Sequence, residues 1–167
     1  MSPNLATYVA RSGMRAGEIG KRLQSLGIVL PPPPTPKGAY LPVVVTDHYA
    51  WVSGMLPLRE GKLVAEGLVE SEVALPVAKD AARLAALNGL SALSAAIGEL
   101  ERVERVVKVG VYVASSTGFV AQSEVANGAS ELLVGVFGDL GKHARIVVGV
   151  ASLPLNSPVM VELEVAL

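Results

Sequence analysis

The stretch VMVELEVA at 159–166 alternates strictly: Val159, Val161, Leu163 and Val165 are apolar, with Met160, Glu162, Glu164 and Ala166 between them. A period of two sends successive side chains to opposite faces of an extended strand. One face of the sheet this strand joins must therefore be covered by other parts of the chain. The other face carries two carboxylates side by side. By spacing alone, that face is either a solvated sheet edge or the lining of a site.

The rest of the chain has the parts to supply the cover. Residues 76–98 place Leu84, Leu87, Leu90, Leu93 and Ile97 at helical spacing in an alanine- and leucine-rich run, with Lys79, Arg83, Ser91 and Ser94 as its polar positions. Val125, Ala129, Leu132, Leu133, Val136 and Phe137 mark a second amphipathic helix, which GDLGKH ends, with Asn127 expected as an N-terminal cap near its start. Strands are expected at 42–46 and 49–53, joined by TDH as a hairpin, and at 105–115, 145–152 and 159–166. In 105–115, Val107, Val109, Val111 and Val113 are expected on one face, with Lys108, Gly110 and Tyr112 on the other. REGK at 59–62 reads as a turn. The order ββαβαββ predicts an α+β domain with two helices packed on one face of a mixed or antiparallel sheet.

Upstream, PPPPTP at 31–36 forces an extended segment. A short helix over about 15–26, ended by Gly27, precedes it, and residues 1–13 read as a loosely held extension. The expected organisation is an N-terminal extension at 1–30, a proline-rich segment at 31–37 and a single globular domain at 38–167.

Composition narrows the function. Charged residues make up 17% of the chain, below the roughly one quarter usual in soluble domains, while 51% are hydrophobic. A small protein with so little charge is expected to hide surface against copies of itself. The net charge of −1 argues against an electrostatic platform for nucleic acid, and the basic stretch Arg11, Arg15, Lys21 and Arg22 reads as a solvated helix face. There is no cysteine, and His48 and His143 are the only histidines, so no metal or other cofactor is expected. The apolar run 84–98 is interrupted by Asn88, Ser91 and Ser94, and the N-terminus lacks a basic start followed by an apolar run. A cytoplasmic protein without a membrane segment is the expectation.

Arg145 opens a strand whose next residues, Ile146, Val147 and Val148, are all apolar. Its planar guanidinium suits a bidentate grip on a carboxylate or phosphate, or a structural ion pair with Glu162 or Glu164. Tyr40 fits either packing or a pocket rim. Ser53 and Gly54 form either a plain turn or backbone donors facing a ligand. GDLGKH lacks the spacing of a phosphate loop.

Taken in order, GAYLPVV, AWVSGMLPL, VVKVGVYVAS and VFGDLGKHARIVVGVASLPLNSPVMVELEVAL, with Asn127 ahead of the last, resemble the Rid family (YjgF/YER057c/UK114, also called endoribonuclease L-PSP). The likeness covers about Gly38 to Leu167 and is nearest to a longer, less characterised branch. It implies a chorismate-mutase-like fold assembled as a homotrimer with clefts between subunits. It further implies hydrolysis of reactive 2-enamine and 2-imine acids, released by pyridoxal-phosphate enzymes, to 2-keto acids and ammonia. By the same resemblance Arg145 grips the substrate carboxylate and Glu162 positions or activates water. Tyr40, Ser53, Gly54 and Asn127 fall at substrate-binding positions. His143 and Ile146 depart from the family pattern, where proline and a small polar residue are usual. Two other functions compete: a non-catalytic trimer that binds or senses small carboxylates, and an endoribonuclease or translation inhibitor.

Overall fold

The computed structural model describes residues 17–35 and 38–167. Its elements are α1 (Glu18–Ser25), β1 (Val43–Val45), β2 (Tyr49–Met55), β3 (Leu58–Arg59), β4 (Lys62–Leu63), α2 (Leu75–Ile97), β5 (Arg105–Ala114), α3 (Gln122–Phe137), β6 (Ala144–Val150) and β7 (Val159–Ala166). Five strands form one sheet in the order β1-β2-β7-β5-β6, and β3 and β4 form a separate small hairpin. All neighbours in the large sheet are antiparallel except β5 and β6, which α3 joins as a crossover. The alternation in 159–166 belongs to β7, the central strand. Val159, Val161, Leu163 and Val165 are buried and the residues between them are half-buried.

Both long helices lie on the face those four residues define, and the core forms between helices and sheet. On α2 the buried face combines small residues with the far half of the leucine row, Leu90, Leu93 and Ile97. Ala78, Ala81, Ala82, Ala85 and Ala86 are fully buried, whereas Leu84 and Leu87 remain half-buried. The helices touch where Gly128 of α3 meets the Lys79 carbonyl of α2; a Cβ there would overlap that oxygen. All six apolar positions expected on α3 are buried.

Ser91, expected on a polar face, is buried, as is Asn88. Asn88 Nδ2 donates to the carbonyls of Leu56 and Leu58, both at 2.9 Å, fastening the β3–β4 hairpin to α2. Ser91 Oγ donates to the Pro31 carbonyl and fastens the proline segment. Residues 31–35 contain no helix or strand, and Pro36 lies outside the described residues. The short first helix begins at Glu18, and Gly27 follows it with φ 63°; the expected start at 15–16 also lies outside the described residues. Ile19 of α1 is buried in the common core.

Two local expectations fail. Val107 does not share a face with Val109, Val111 and Val113. The β5–β7 register shifts between Val106 and Lys108, so Val106 takes the buried place and Val107 is the unpaired extra residue. Asn127 is not a cap: α3 starts after Ala121, and Asn127 lies inside the helix, where its side chain is free for another partner.

Candidate functional site

Among the described residues no helix packs over the second face of the sheet. Strand register places Val44, Trp51, Glu164 and Lys108 in one row across it, and Glu162, Gly110 and Ile146 in the next. Val44, Tyr49, Trp51 and Ile146 are between 41% and 48% exposed, an unusual load of large apolar side chains for open water. The Tyr49 and Trp51 rings stand 5.8 Å apart.

Glu162 is seated on this face by its neighbours on β5. Gly110 has no side chain, and Glu162 lies over it; a Cβ there would be 2.5 Å from Oε1. The Tyr112 hydroxyl donates to the same oxygen at 2.9 Å. That bond, with burial and the carboxylate charge behind it, raises the Tyr112 pKa above its usual value. Glu164 instead pairs with Lys108 Nζ at 3.2 Å. Glu162 has no ion pair among the described residues. Together with Val44, Trp51 and Ser53, the two glutamates line a shallow cavity of about 190 Å³. Ser53 is held there by two bonds to the segment before β1: its N–H to the Pro42 carbonyl at 2.9 Å and its Oγ to the Leu41 carbonyl at 2.7 Å. Gly54 beside it gives room to Met160, whose side chain occupies the place of a Cβ.

Arg145 lies elsewhere. It pairs with Val109, a fully buried residue of the helix-covered face, and reaches α3 from the edge strand β6. Its Nη1 donates to Asn127 Oδ1 at 2.9 Å and to Ser130 Oγ at 3.1 Å. It has no ion pair among the described residues, so the bridge to Glu162 or Glu164 that the sequence left open does not form within the chain. Ser130 also meets His143: Oγ and Nε2 are 3.0 Å apart, and His143 Nδ1 contacts the Gly141 carbonyl at 2.6 Å. Burial lowers the His143 pKa, the Gly141 bond partly opposes this, and the Arg145 charge adds to the lowering.

The fold thus brings Arg145 to Asn127, and Ser53 to Glu162, but not the two pairs to each other. Tyr40 is 53% exposed beside Gly38 and lines neither place. Sequence reasoning missed Ser130 and Tyr112. Ser130 had a signal, since it lies three residues after Asn127 and shares its helix face. Tyr112 had one only through the β5–β7 register. Among the described residues no three His, Asp or Glu side chains gather to hold a metal ion.

Residues 20–167 match the family model described as "YjgF/chorismate_mutase-like, putative endoribonuclease", and the chain belongs to this family. It is 41% identical over 157 residues to Protein TCP17 of Trypanosoma cruzi, covering 93% of this chain and 98% of that protein. Among solved structures, Atu1372 from Agrobacterium tumefaciens, of unknown function, is 40% identical with a TM-score of 0.83, covering 90% of this chain and 92% of that one. A "putative endoribonuclease" of Shewanella oneidensis is 30% identical with a TM-score of 0.86, covering 89% and 99%. The fold is therefore the chorismate-mutase-like α+β fold of this family, several of whose members carry the name of a hydrolytic enzyme. No helix among the described residues is long and apolar enough to cross a membrane.

Proposed function

We propose that the chain hydrolyses 2-enamine and 2-imine acids to 2-keto acids and ammonia, in clefts formed between copies of itself. The observation that carries this reading is the state of Arg145. Two neutral oxygens, Asn127 Oδ1 and Ser130 Oγ, orient its guanidinium without cancelling its charge. A cation fixed in place and left without a carboxylate is prepared to receive one. Glu162 is the counterpart, a carboxylate positioned by the neutral Tyr112 hydroxyl rather than by a cation.

One molecule must touch both groups, yet they face opposite sides of one sheet. A second copy resolves this if its open face meets the β6 edge and α3 of the first. Such contacts between different surfaces close into rings, and a homotrimer is the ring the family resemblance implies. The apolar open face with Trp51, Val44 and Ile146 supplies the surface for that contact.

In the cleft, Arg145 binds the carboxylate of the substrate and fixes the imine carbon beside it. The enamine reacts as its iminium form, reached by protonation at the β-carbon. Glu162 orients water and accepts its proton as the C–O bond forms and the C=N π pair moves to nitrogen. The nitrogen of the resulting carbinolamine takes up the proton held by Glu162, ammonia leaves with the C–N bonding pair, and the carbonyl forms as the hydroxyl proton returns to Glu162. The test is ammonia and keto-acid release from freshly generated 2-aminoacrylate. Purified protein is expected to accelerate release, and Arg145→Ala to abolish the acceleration. Equal rates with and without protein would overturn the reading, leaving a carboxylate-binding trimer if small acids still raise its thermal stability. Cleavage of single-stranded RNA that disappears in Arg145→Ala would replace it with a ribonuclease.

A further inference from the structure

We propose that Ser130 and His143 are positioning residues for Arg145, joined in a one-way chain of hydrogen bonds that fixes the guanidinium plane. This rests on the reading of Arg145 as the carboxylate anchor and extends it to residues that touch no substrate.

The direction of the chain follows from counting hydrogens. A guanidinium nitrogen only donates, so at 3.1 Å Ser130 Oγ accepts from Arg145 Nη1. The serine then has one hydrogen of its own, and His143 Nε2 stands 3.0 Å away. For Nε2 to accept it, the ring must be neutral with its hydrogen on Nδ1. Nδ1 lies 2.6 Å from the Gly141 carbonyl, a partner that can only accept. With the ring neutral each link has one direction, Arg145 to Ser130, Ser130 to His143 and His143 to the main chain, whereas a doubly protonated ring would donate from Nε2 to the serine oxygen instead. Partial burial of the ring and the nearby Arg145 charge favour its neutral form over the opposing pull of the Gly141 bond. Other charged side chains on the surrounding elements have partners of their own: Glu131 pairs with Lys79, Asp139 with Lys142, and Arg105 donates to the Lys142 carbonyl.

The second acceptor at Nη1, Asn127 Oδ1, comes from one turn earlier on the same helix face. Two acceptors on one nitrogen define the orientation of a planar group. They leave Nη2 and Nε out of these bonds, on the part of the fork a carboxylate needs. The Gly141–Ala144 turn and α3 thus share the task of aiming Arg145, and His143 is the link between them.

The experiment uses the full-length protein with 15N-labelled histidine and arginine, alongside turnover of 2-aminoacrylate and calorimetric binding of pyruvate. In the wild type, His143 is expected as the neutral Nδ1–H tautomer, and the Arg145 Nη1 hydrogens are expected to exchange more slowly than those of an arginine without side-chain partners. Ser130→Ala is expected to abolish that slowing and to raise KM and the pyruvate Kd by roughly three- to tenfold, the net effect of one hydrogen bond of ordinary strength lost from a group that itself touches no substrate, with kcat changed far less. Ser130→Thr, which keeps the hydroxyl, is expected to restore both. His143→Asn is expected to follow Ser130→Ala. An Nε2–H tautomer, or unchanged Arg145 exchange in Ser130→Ala, would overturn the proposal. Failure of the wild type to bind pyruvate or turn over substrate would instead refute the carboxylate-anchor reading, with the two spectra still deciding whether the chain of bonds exists.

Discussion

Arg145 and Glu162 point to opposite faces of the same sheet. Arg145 pairs across to Val109 on the helix-covered face, and Glu162 pairs to Gly110 on the open one. Adjacent positions on β5 thus divide the two charges, and a local side-chain movement cannot reunite them.

This division predicts complementation between defective subunits. Arg145→Ala and Glu162→Gln proteins are each expected to be inactive. In co-refolded mixtures, a cleft with arginine from one variant and glutamate from the other is intact. Random assembly of a ring is expected to restore roughly a quarter of wild-type activity. Activity assays on equimolar mixtures, with each variant alone as control, measure it; no recovery would place both groups in one subunit's site.

Gly110→Ala isolates the seat of Glu162. The new methyl would stand 2.5 Å from Oε1 and 2.7 Å from Cγ, so the whole Glu162 side chain must swing aside. In the proposed role of positioning water, a displacement of Glu162 by about 1 Å costs on the order of a hundredfold in rate. The expected outcome is a large fall in kcat with a nearly unchanged urea midpoint. Comparable loss of both would show the glycine serving packing alone.

Gly128→Ala should behave in the opposite way. Its methyl meets the Lys79 main chain, which cannot swing aside like a flexible side chain. Separation of α2 from α3 is expected to cost about 1–3 kcal/mol, read by chemical denaturation.

Tyr112 predicts an alkaline dependence. Its pKa in the fold is raised above the ordinary value of 10.0, first by the bond to Glu162, then by burial and the carboxylate charge. A group raised in the folded state contributes stability that is complete below its unfolded pKa and is lost as pH rises through the folded one. Wild type is therefore expected to lose more stability than Tyr112→Phe between pH 9 and the alkaline limit of folding. Denaturation midpoints of the two proteins across that range check it, and parallel curves would exclude the linkage.

The strands and helices were legible because their periods are local. Alternation in 159–166 marks β7 without reference to any other element, and the α3 spacing is equally self-contained. Val107 was misplaced because a bulge depends on the partner strand, which alternation in one strand does not record. Ser91 was misread for a related reason. A hydroxyl looks solvent-facing in a sequence, and only the Pro31 carbonyl across the fold makes its burial tolerable. Arg145 and Glu162, the residues proposed for the site, stood out as charges among apolar neighbours and through the family resemblance. Their separation did not, since the facing of β6 against β7 passes through β5 and requires both registers. The roles of Ser130 and His143 likewise arise from contacts between α3 and a distant turn.

The attachments made by Asn88 and Ser91 bear on how this surface can change over time. Both side chains grip main-chain carbonyls, at Leu56, Leu58 and Pro31, and a carbonyl is present whatever amino acid carries it. The hairpin and the lead-in strap can therefore exchange their outward side chains with little risk of coming unmoored, as long as two polar residues in one helix persist. A lineage has a rim it can redecorate while its moorings stay put.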